Sequence, residues 1–180
     1  MAERKIILIT GGSRSGKSRM ALELSRDAGR KIFVATAQAG DTEMKLRIER
    51  HRKERGAEWI TIEEPIDLRC LLKKYPDGLL VVDCLGLWVS NLLLAGQDEA
   101  AIRRDTIDLS AIAQARNDQS IFVTNEVGSG IVPDNELARR FRDALGSVNQ
   151  MFADVADEVI LMISGLPLWL KRKGVQDESI

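Results

Sequence analysis

Residues 11–18 form a glycine-rich segment whose residue types and spacing suit the binding of a phosphate group. The segment reads Gly11, Gly12, Ser13, Arg14, Ser15, Gly16, Lys17 and Ser18, which is the pattern G-x-x-x-x-G-K-S. Its glycines allow backbone N–H groups to converge on an anion, and the positive end of a following helix dipole favours phosphate there. Lys17 would reach the β- and γ-phosphates, and the Ser18 hydroxyl would complete a Mg²⁺ shell. The alternative is a glycine-rich turn between a strand and a helix that binds no ligand.

Asp83 is a second candidate for phosphate chemistry, because it ends the apolar run Leu79–Val82. An acidic residue at the end of a buried strand lies near the Mg²⁺ shell in proteins with this kind of loop. We therefore predict that Ser18 and Asp83 share a metal site. The alternative is that the Asp83 side chain only caps a helix that begins at Leu85.

The chain has one histidine, His51, and four basic residues flank it: Arg50, Arg52, Lys53 and Arg55. These neighbours should keep the imidazole neutral and attract phosphate oxygens. A neutral imidazole can attack phosphorus and carry a nucleotidyl group between two substrates. The helical spacing alone equally allows a packing role for His51, and the arginine-rich stretch could be a solvated helix face.

Five short runs of apolar and β-branched residues predict strands that are covered on both faces. The runs are Lys5–Thr10, Lys31–Thr36, Leu79–Cys84, Ser120–Thr124 and Glu158–Ile163. The predicted helices between them are Lys17–Asp27, Asp41–Arg55, Ile66–Lys74, Leu85–Leu94, Glu99–Asn117 and Asn135–Ala153. This alternation predicts an α/β fold with a mainly parallel sheet flanked by helices, and ligands at the carboxyl ends of the strands.

Length and composition suggest one domain without a general affinity for nucleic acid or membranes. We expect that domain to cover residues 1–174, with a frayed tail at 175–180. The whole segment Lys171–Ile180 is polar and is expected to fray. The 26 basic and 27 acidic residues give no overall pull towards nucleic acid. No apolar run reaches the roughly 18 residues of a membrane span, and no signal peptide is recognised, so we expect a cytoplasmic protein. Cys70 and Cys84 lie in apolar segments and are expected to be buried.

Several segments carry a resemblance that extends from residue 5 to about residue 170. They are residues 11–18, 34–38, 41–44, 47–52, 59–65, 82–85, 124–133 and 148–150. Together they resemble the bifunctional adenosylcobinamide kinase / adenosylcobinamide-phosphate guanylyltransferase family of cobalamin biosynthesis. The segment Asn125–Pro133, with the sequence N-E-V-G-S-G-I-V-P, is the most specific part.

The resemblance implies two reactions and a set of substrates. A nucleoside triphosphate phosphorylates adenosylcobinamide; GTP then guanylylates an enzyme histidine, and the GMP passes to adenosylcobinamide phosphate. The products are adenosylcobinamide-GDP and pyrophosphate. The resemblance further implies GTP and ATP as substrates with Mg²⁺, a RecA-like P-loop fold, and a homotrimer.

The same resemblance implies roles for individual residues. His51 matches the guanylylated histidine, and Lys17 would act with it in catalysis. The nucleotide contacts that it implies beyond the glycine-rich segment are Ala35, Thr36, Ala37, Arg52, Lys53, Glu54, Arg55, Glu63 and Asp83. The Glu63 carboxylate could accept hydrogen bonds from guanine and so favour GTP over ATP. Asn125 and Glu126 stay outside this assignment, because Asn125 and Gly128 could merely shape a turn.

Other functions remain open from the residues themselves. The chain could be a guanylyltransferase only, or another small-molecule P-loop kinase or NTPase in which His51 is structural. It could also be a nucleotide-switched module without enzyme activity. No residue in the sequence identifies itself as the base for the kinase step.

Overall fold

The computed structural model describes residues 4–38, 40 and 56–172 of the chain. The strands of this part are β1 (Ile6–Gly11), β2 (Lys31–Ala35), β3 (Trp59–Glu63), β4 (Leu79–Asp83), β5 (Ser120–Val123), β6 (Glu158–Ile163) and β7 (Leu166–Arg172). Its helices are α1 (Lys17–Leu24), α2 (Leu68–Lys74), α3 (Leu85–Leu94), α4 (Glu99–Gln114) and α5 (Glu136–Val155). The predicted helix Asp41–Arg55 and the predicted tail at 175–180 lie outside the described residues.

The seven strands form one sheet in the order β3-β2-β4-β5-β1-β6-β7. All neighbouring pairs are parallel except β6 and β7, which are antiparallel. Parallel neighbours need a long crossover, which the helices supply. The α/β fold with a mainly parallel sheet flanked by helices, predicted from the alternating segments, is confirmed.

The central strands are continuously apolar because helices cover both faces of the sheet. In β1, Ile6 and Leu8 pack in one buried layer with Trp88 of α3 and Phe152 of α5. The intervening β1 residues point to the other face, into the layer that contains Met20 of α1. Successive side chains of a strand alternate between faces, so two apolar layers require an unbroken apolar run.

The two edge strands, β3 and β7, were not predicted. In β3 no residue is fully buried, and its apolar residues alternate with Thr61 and Glu63. β7 contains Pro167, which sheets accept at an edge. Lys171 and Arg172 belong to β7, so the expected fraying of Lys171–Ile180 is wrong for these two residues.

A side-chain cap explains where the predicted helix Ile66–Lys74 begins. Asp67 caps α2 by accepting a hydrogen bond from the Cys70 N–H at 3.1 Å, so α2 begins at Leu68 rather than Ile66. Cys70 itself is exposed on this short helix, and the prediction that it is buried is wrong. Cys84 is buried, as predicted.

Among residues 4–38, 40 and 56–172, no helix combines the length and apolar character needed to cross a bilayer.

Candidate functional site

The carboxyl ends of the parallel strands bring several predicted site residues to one edge of the sheet. Gly11 ends β1, Asp83 ends β4 and Glu63 ends β3. Ala35, the last residue of β2, is in register with Asp83 on one side and with Glu63 on the other. Ligands of such sheets bind at this edge, so the predicted residues occupy the expected place.

The backbone of the glycine-rich loop requires glycine at its first and sixth positions. Gly11 has φ +142° and Gly16 has φ +98°, a region that other residues rarely adopt. A Cβ atom on Gly11 would lie closer than 3.0 Å to the carbonyl oxygen of Met162 in β6. A Cβ atom on Gly16 would lie 3.3 Å from the Cα atom of Gly165 in the β6–β7 turn. The loop is therefore packed closely against the neighbouring strand.

The start of α1 offers hydrogen-bond donors that suit an anion. Gly16 is the N-cap of α1, no side chain caps the helix, and its first turn has no acidic residue. The first N–H groups of a helix have no acceptor within the helix, and they attract phosphate. Ser15 is buried, and its hydroxyl has no hydrogen-bond partner among the described residues. An unpartnered buried hydroxyl beside such a helix end fits a bound phosphate.

Lys17 places its charge against the loop backbone. The side chain is buried, and Nζ donates hydrogen bonds to the carbonyl oxygens of Gly11 at 2.9 Å and Gly12 at 2.6 Å. The ammonium group is therefore held where the loop leaves β1. A triphosphate bound by the loop would meet this charge directly.

Ser18 and Asp83 are joined across the strand that separates them. The Ser18 hydroxyl donates a hydrogen bond of 2.7 Å to Asp83 Oδ2. The alternative that Asp83 caps α3 is wrong, because the N-cap is Cys84, whose Sγ accepts from the Leu87 N–H at 3.4 Å. The pair thus offers a hydroxyl and a carboxylate oxygen at one point.

Such a pair fits a magnesium ion that is shared with a nucleotide. Mg²⁺ prefers oxygen ligands and usually takes one or two protein carboxylates together with substrate phosphates. Within the described part of the chain, no group of three or more His, Cys, Asp or Glu residues could hold a metal by itself. The donor set of Ser18 and Asp83 therefore suits Mg²⁺ only in combination with phosphate oxygens.

Thr36 has a role that the sequence did not suggest. Its hydroxyl accepts a hydrogen bond from the Cys84 N–H at 2.8 Å and donates one of 2.8 Å to the Cys84 carbonyl oxygen. The Asn91 side chain donates to the carbonyl oxygens of Thr36 at 2.8 Å and Pro65 at 3.1 Å. Thr36 thereby fixes the backbone immediately after Asp83. Of the three predicted contacts in this segment, Ala35 and Thr36 are buried and Ala37 is half-buried.

The thiol next to Asp83 is buried and favours its protonated form. Burial, and then the negative charge of Asp83, raise the pKa of Cys84 to about 12. A thiol with this pKa stays protonated near neutral pH, and the thiolate is the nucleophilic form. Cys84 therefore serves as a cap and a core residue.

The chain that follows β5 lies directly beside the phosphate loop. The Thr124 N–H donates to the Ile9 carbonyl at 2.9 Å, and the Glu126 N–H donates to the Gly11 carbonyl at 3.1 Å. Glu126 Oε1 accepts from the Gly128 N–H at 2.5 Å, which closes a tight turn. The segment Asn125–Pro133 thus begins at the loop, and its Ile131 side chain is 96% exposed.

The other predicted site residues, His51, Arg52, Lys53, Glu54 and Arg55, lie outside the described residues. Their position relative to the sheet edge stays a prediction. Glu63 is exposed at the end of β3, and its contact with guanine also stays a prediction.

A glycine-rich loop between a parallel strand and a helix, with a lysine on the loop and a Ser–Asp pair beside it, defines a P-loop protein with a RecA-like fold. A solved structure, the flagellar accessory protein FlaH from Methanocaldococcus jannaschii, shares this fold with a TM-score of 0.55. It is 14% identical in sequence, and the match covers 96% of this chain and 80% of that protein.

Residues 7–170 match the family described as cobinamide kinase / cobinamide phosphate guanyltransferase, and the chain belongs to this family. It is similar to the bifunctional adenosylcobalamin biosynthesis protein CobU of Salmonella typhimurium, with 43% identity over 92% of this chain and 99% of the relative. The protein CobP of Pseudomonas aeruginosa is 41% identical over 91% of this chain and 96% of its own length. CobU of Escherichia coli K12 is 41% identical, with coverage of 92% and 99%. The predicted family is confirmed.

Proposed function

We propose that the chain catalyses both reactions in its family description: phosphorylation of adenosylcobinamide, and transfer of GMP from GTP to adenosylcobinamide phosphate. The observation that carries this proposal is the phosphate loop with Lys17 beside the joined Ser18 and Asp83 side chains. This arrangement suits chemistry at a nucleoside triphosphate. The family match supplies the corrinoid substrate.

In the transfer of GMP, His51 is the proposed nucleophile. One imidazole nitrogen forms a bond to the α-phosphorus of GTP while the bond to the bridging oxygen breaks, and pyrophosphate leaves with that electron pair. A phosphate oxygen of adenosylcobinamide phosphate then attacks the same phosphorus, and the histidine departs. Two simpler displacements replace one difficult transfer.

The described side chains support this division of roles. Cys84 is buried in the core with its pKa raised to about 12, and Cys70 is an exposed residue of α2. His51 is the only histidine of the sequence. Lys17 and the loop N–H groups would stabilise charge on the departing pyrophosphate, which is the main requirement in such reactions.

Ser18 and Asp83 are the proposed ligands of Mg²⁺. Bound there, the ion would neutralise charge on the β- and γ-phosphates. Glu63 would recognise guanine in the GMP transfer, and either ATP or GTP would serve as phosphate donor in the kinase step. Both triphosphates are available in the cytoplasm, where we place the enzyme.

We also propose that the enzyme is a homotrimer. An apolar strip on the β6–β7 side supports association: Ile163, Leu166, Leu168 and Leu170 are between 52% and 72% exposed. Contiguous exposed apolar surface often marks a protein interface. Sedimentation equilibrium with and without GTP tests this state, and a monomer under both conditions would refute it.

Labelling with α-³²P-GTP tests the proposed chemistry. We expect a covalent label that survives alkali and is lost in acid, as a phosphoramidate should be. His51→Asn should abolish the label while a fluorescent GTP analogue still binds, whereas Lys17→Ala should abolish both. Full labelling of His51→Asn would refute the nucleophile assignment.

Product analysis separates the alternatives. With adenosylcobinamide and GTP, with or without ATP as phosphate donor, a bifunctional enzyme forms adenosylcobinamide phosphate and then adenosylcobinamide-GDP. A guanylyltransferase alone requires the phosphate to be added. A plain kinase transfers label only from the γ-phosphate, and a nucleotide-switched module forms no product.

A further inference from the structure

The side chain of Asn149 joins helix α5 to the segment that follows β5, beside the phosphate loop. Asn149 Oδ1 accepts a hydrogen bond of 2.6 Å from the hydroxyl of Thr124, which is fully buried. Asn149 Nδ2 donates a hydrogen bond of 3.0 Å to the carbonyl oxygen of Asn125. One carboxamide thus fixes two successive residues at the end of β5.

The segment that Asn149 holds is hydrogen-bonded to the phosphate loop. The peptide bond that follows the Asn125 carbonyl carries the N–H group of Glu126, and this N–H donates to the Gly11 carbonyl at 3.1 Å. The same Gly11 oxygen accepts from Lys17 Nζ at 2.9 Å. Because a peptide unit is planar, the orientation of the Asn125 carbonyl and that of the Glu126 N–H are linked. Asn149 therefore influences the oxygen that holds the loop lysine.

The segment also reaches the Asp83 side of the site. β5 lies between β1 and β4, so the chain beyond Val123 emerges between Gly11 and Asp83. A Cβ atom on Gly86, in the first turn of α3, would lie 3.4 Å from Asn125 Nδ2. The Asn125 carboxamide is thus packed against the helix that follows Asp83.

We propose that Asn149 is a positioning residue for the transfer reactions: it holds residues 124–126, and through them the Gly11 carbonyl and Lys17, in the geometry that transfer requires. This inference rests on the proposed nucleotide site at the loop. Asn149 touches no substrate in this proposal. A misplacement of about 1 Å by a residue that does not react can cost about 100-fold in rate, whereas binding of the triphosphate by several donors is less sensitive.

The test compares three variants for turnover and for affinity towards a fluorescent GTP analogue. Asn149→Ala should lower kcat for GMP transfer about tenfold or more, with a Kd within about threefold of wild type. Asn149→Asp keeps the acceptor for Thr124 but loses the donor to Asn125, so it should show the same loss. Asn135→Ala is the matched control: Asn135 caps α5 by accepting from the Ala138 N–H at 3.0 Å, far along the helix from Asn149.

Asn135→Ala should weaken the same helix yet keep kcat within about twofold of wild type. Should Asn149→Ala fail to fold, Thr124→Val and Thr124→Ser provide a second pair, of which only the serine variant should keep normal turnover. The inference is overturned if Asn149→Ala and Asn149→Asp keep kcat, or if Asn135→Ala loses as much as they do.

Lys17→Ala is measured in parallel to separate the two proposals. If Lys17→Ala keeps both affinity and covalent labelling, the proposed nucleotide site itself fails. If Lys17→Ala loses them while the Asn149 variants keep kcat, only the positioning role is refuted.

Discussion

Replacing Gly11 by alanine should destabilise the fold far more than the same change at Gly12, although the two glycines are adjacent in one loop. At Gly11 the backbone has φ +142°, and the new methyl group would lie closer than 3.0 Å to the Met162 carbonyl and 2.9 Å from Ser15 Oγ. The Met162 carbonyl belongs to β6, which is paired with β1, so it cannot move aside as a flexible side chain could. At Gly12 no atom lies within 4 Å of the added position.

The expected magnitudes follow from these two differences. A residue with a side chain in this backbone region costs about 1–3 kcal/mol, and overpacking against fixed atoms costs about 1–3 kcal/mol more. Gly11→Ala should therefore lower the free energy of unfolding by about 2–6 kcal/mol, a large share of the roughly 5–15 kcal/mol that holds a domain together. Gly12→Ala should change it by about 0.5 kcal/mol or less.

Urea unfolding followed by tryptophan fluorescence measures both variants against wild type. Equal slopes of the transitions would establish that the midpoints report stability. A difference of less than about 1 kcal/mol between Gly11→Ala and Gly12→Ala would refute the reasoning, because it would mean that neither the backbone angle nor the contact with β6 constrains position 11.

Three further perturbations test other parts of the site. Asp83→Asn should raise the Mg²⁺ concentration for half-maximal activity about tenfold, because a charged ligand is lost; an unchanged Mg²⁺ dependence would contradict the metal role. Thr36→Val should cost about 1–3 kcal/mol of stability by leaving the Cys84 N–H unpaired, while the Cys84 carbonyl keeps its hydrogen bond from the Trp88 N–H; Thr36→Ser should stay close to wild type in the same urea titration. The pKa of Cys84 is raised from 9.0 to about 12, so the neutral thiol's contribution is complete below pH 9 and is lost as the pH rises towards 12. The stability of wild type relative to Cys84→Ser should accordingly fall by roughly 1 kcal/mol between pH 8 and pH 10, and a constant difference would show that the thiol ionises as readily in the folded state as in the unfolded state.

The sequence predicted the strands that are buried on both faces and missed the two at the edges. The run Glu158–Ile163 was predicted with the bounds of β6, and the other predicted strands differ from the structure by a residue at one or both ends. β3 and β7 each have one neighbour and an exposed side. Thr61 interrupts the apolar residues of β3, and β7 contains Pro167 and ends in two basic residues. A search for continuous apolar runs finds strands covered on both faces and cannot find edge strands.

The site shows the same limit of sequence reasoning. The phosphate loop is a local motif, and the pairing of Ser18 with Asp83 follows from a known arrangement once the loop is recognised. The Thr36–Cys84 and Thr124–Asn149 bonds join residues 48 and 25 positions apart. No local pattern predicts such partners, because the sheet register and helix packing determine them. Asn91, a polar residue in the apolar helix α3, was a visible signal for the contact with Thr36.

The position of β1 in the sheet has a consequence for folding during synthesis on the ribosome. β1 is made first, yet its two neighbours are β5 and β6, and the Gly165 N–H donates to the Ser15 carbonyl at 3.0 Å. A nascent chain that ends before residue 158 lacks β6, the strand that flanks β1 and packs against the phosphate loop on one side. β1 and the loop after it therefore gain their full set of neighbours only when the chain has been made as far as residue 165, so a product truncated before residue 158 should have an incompletely packed phosphate loop.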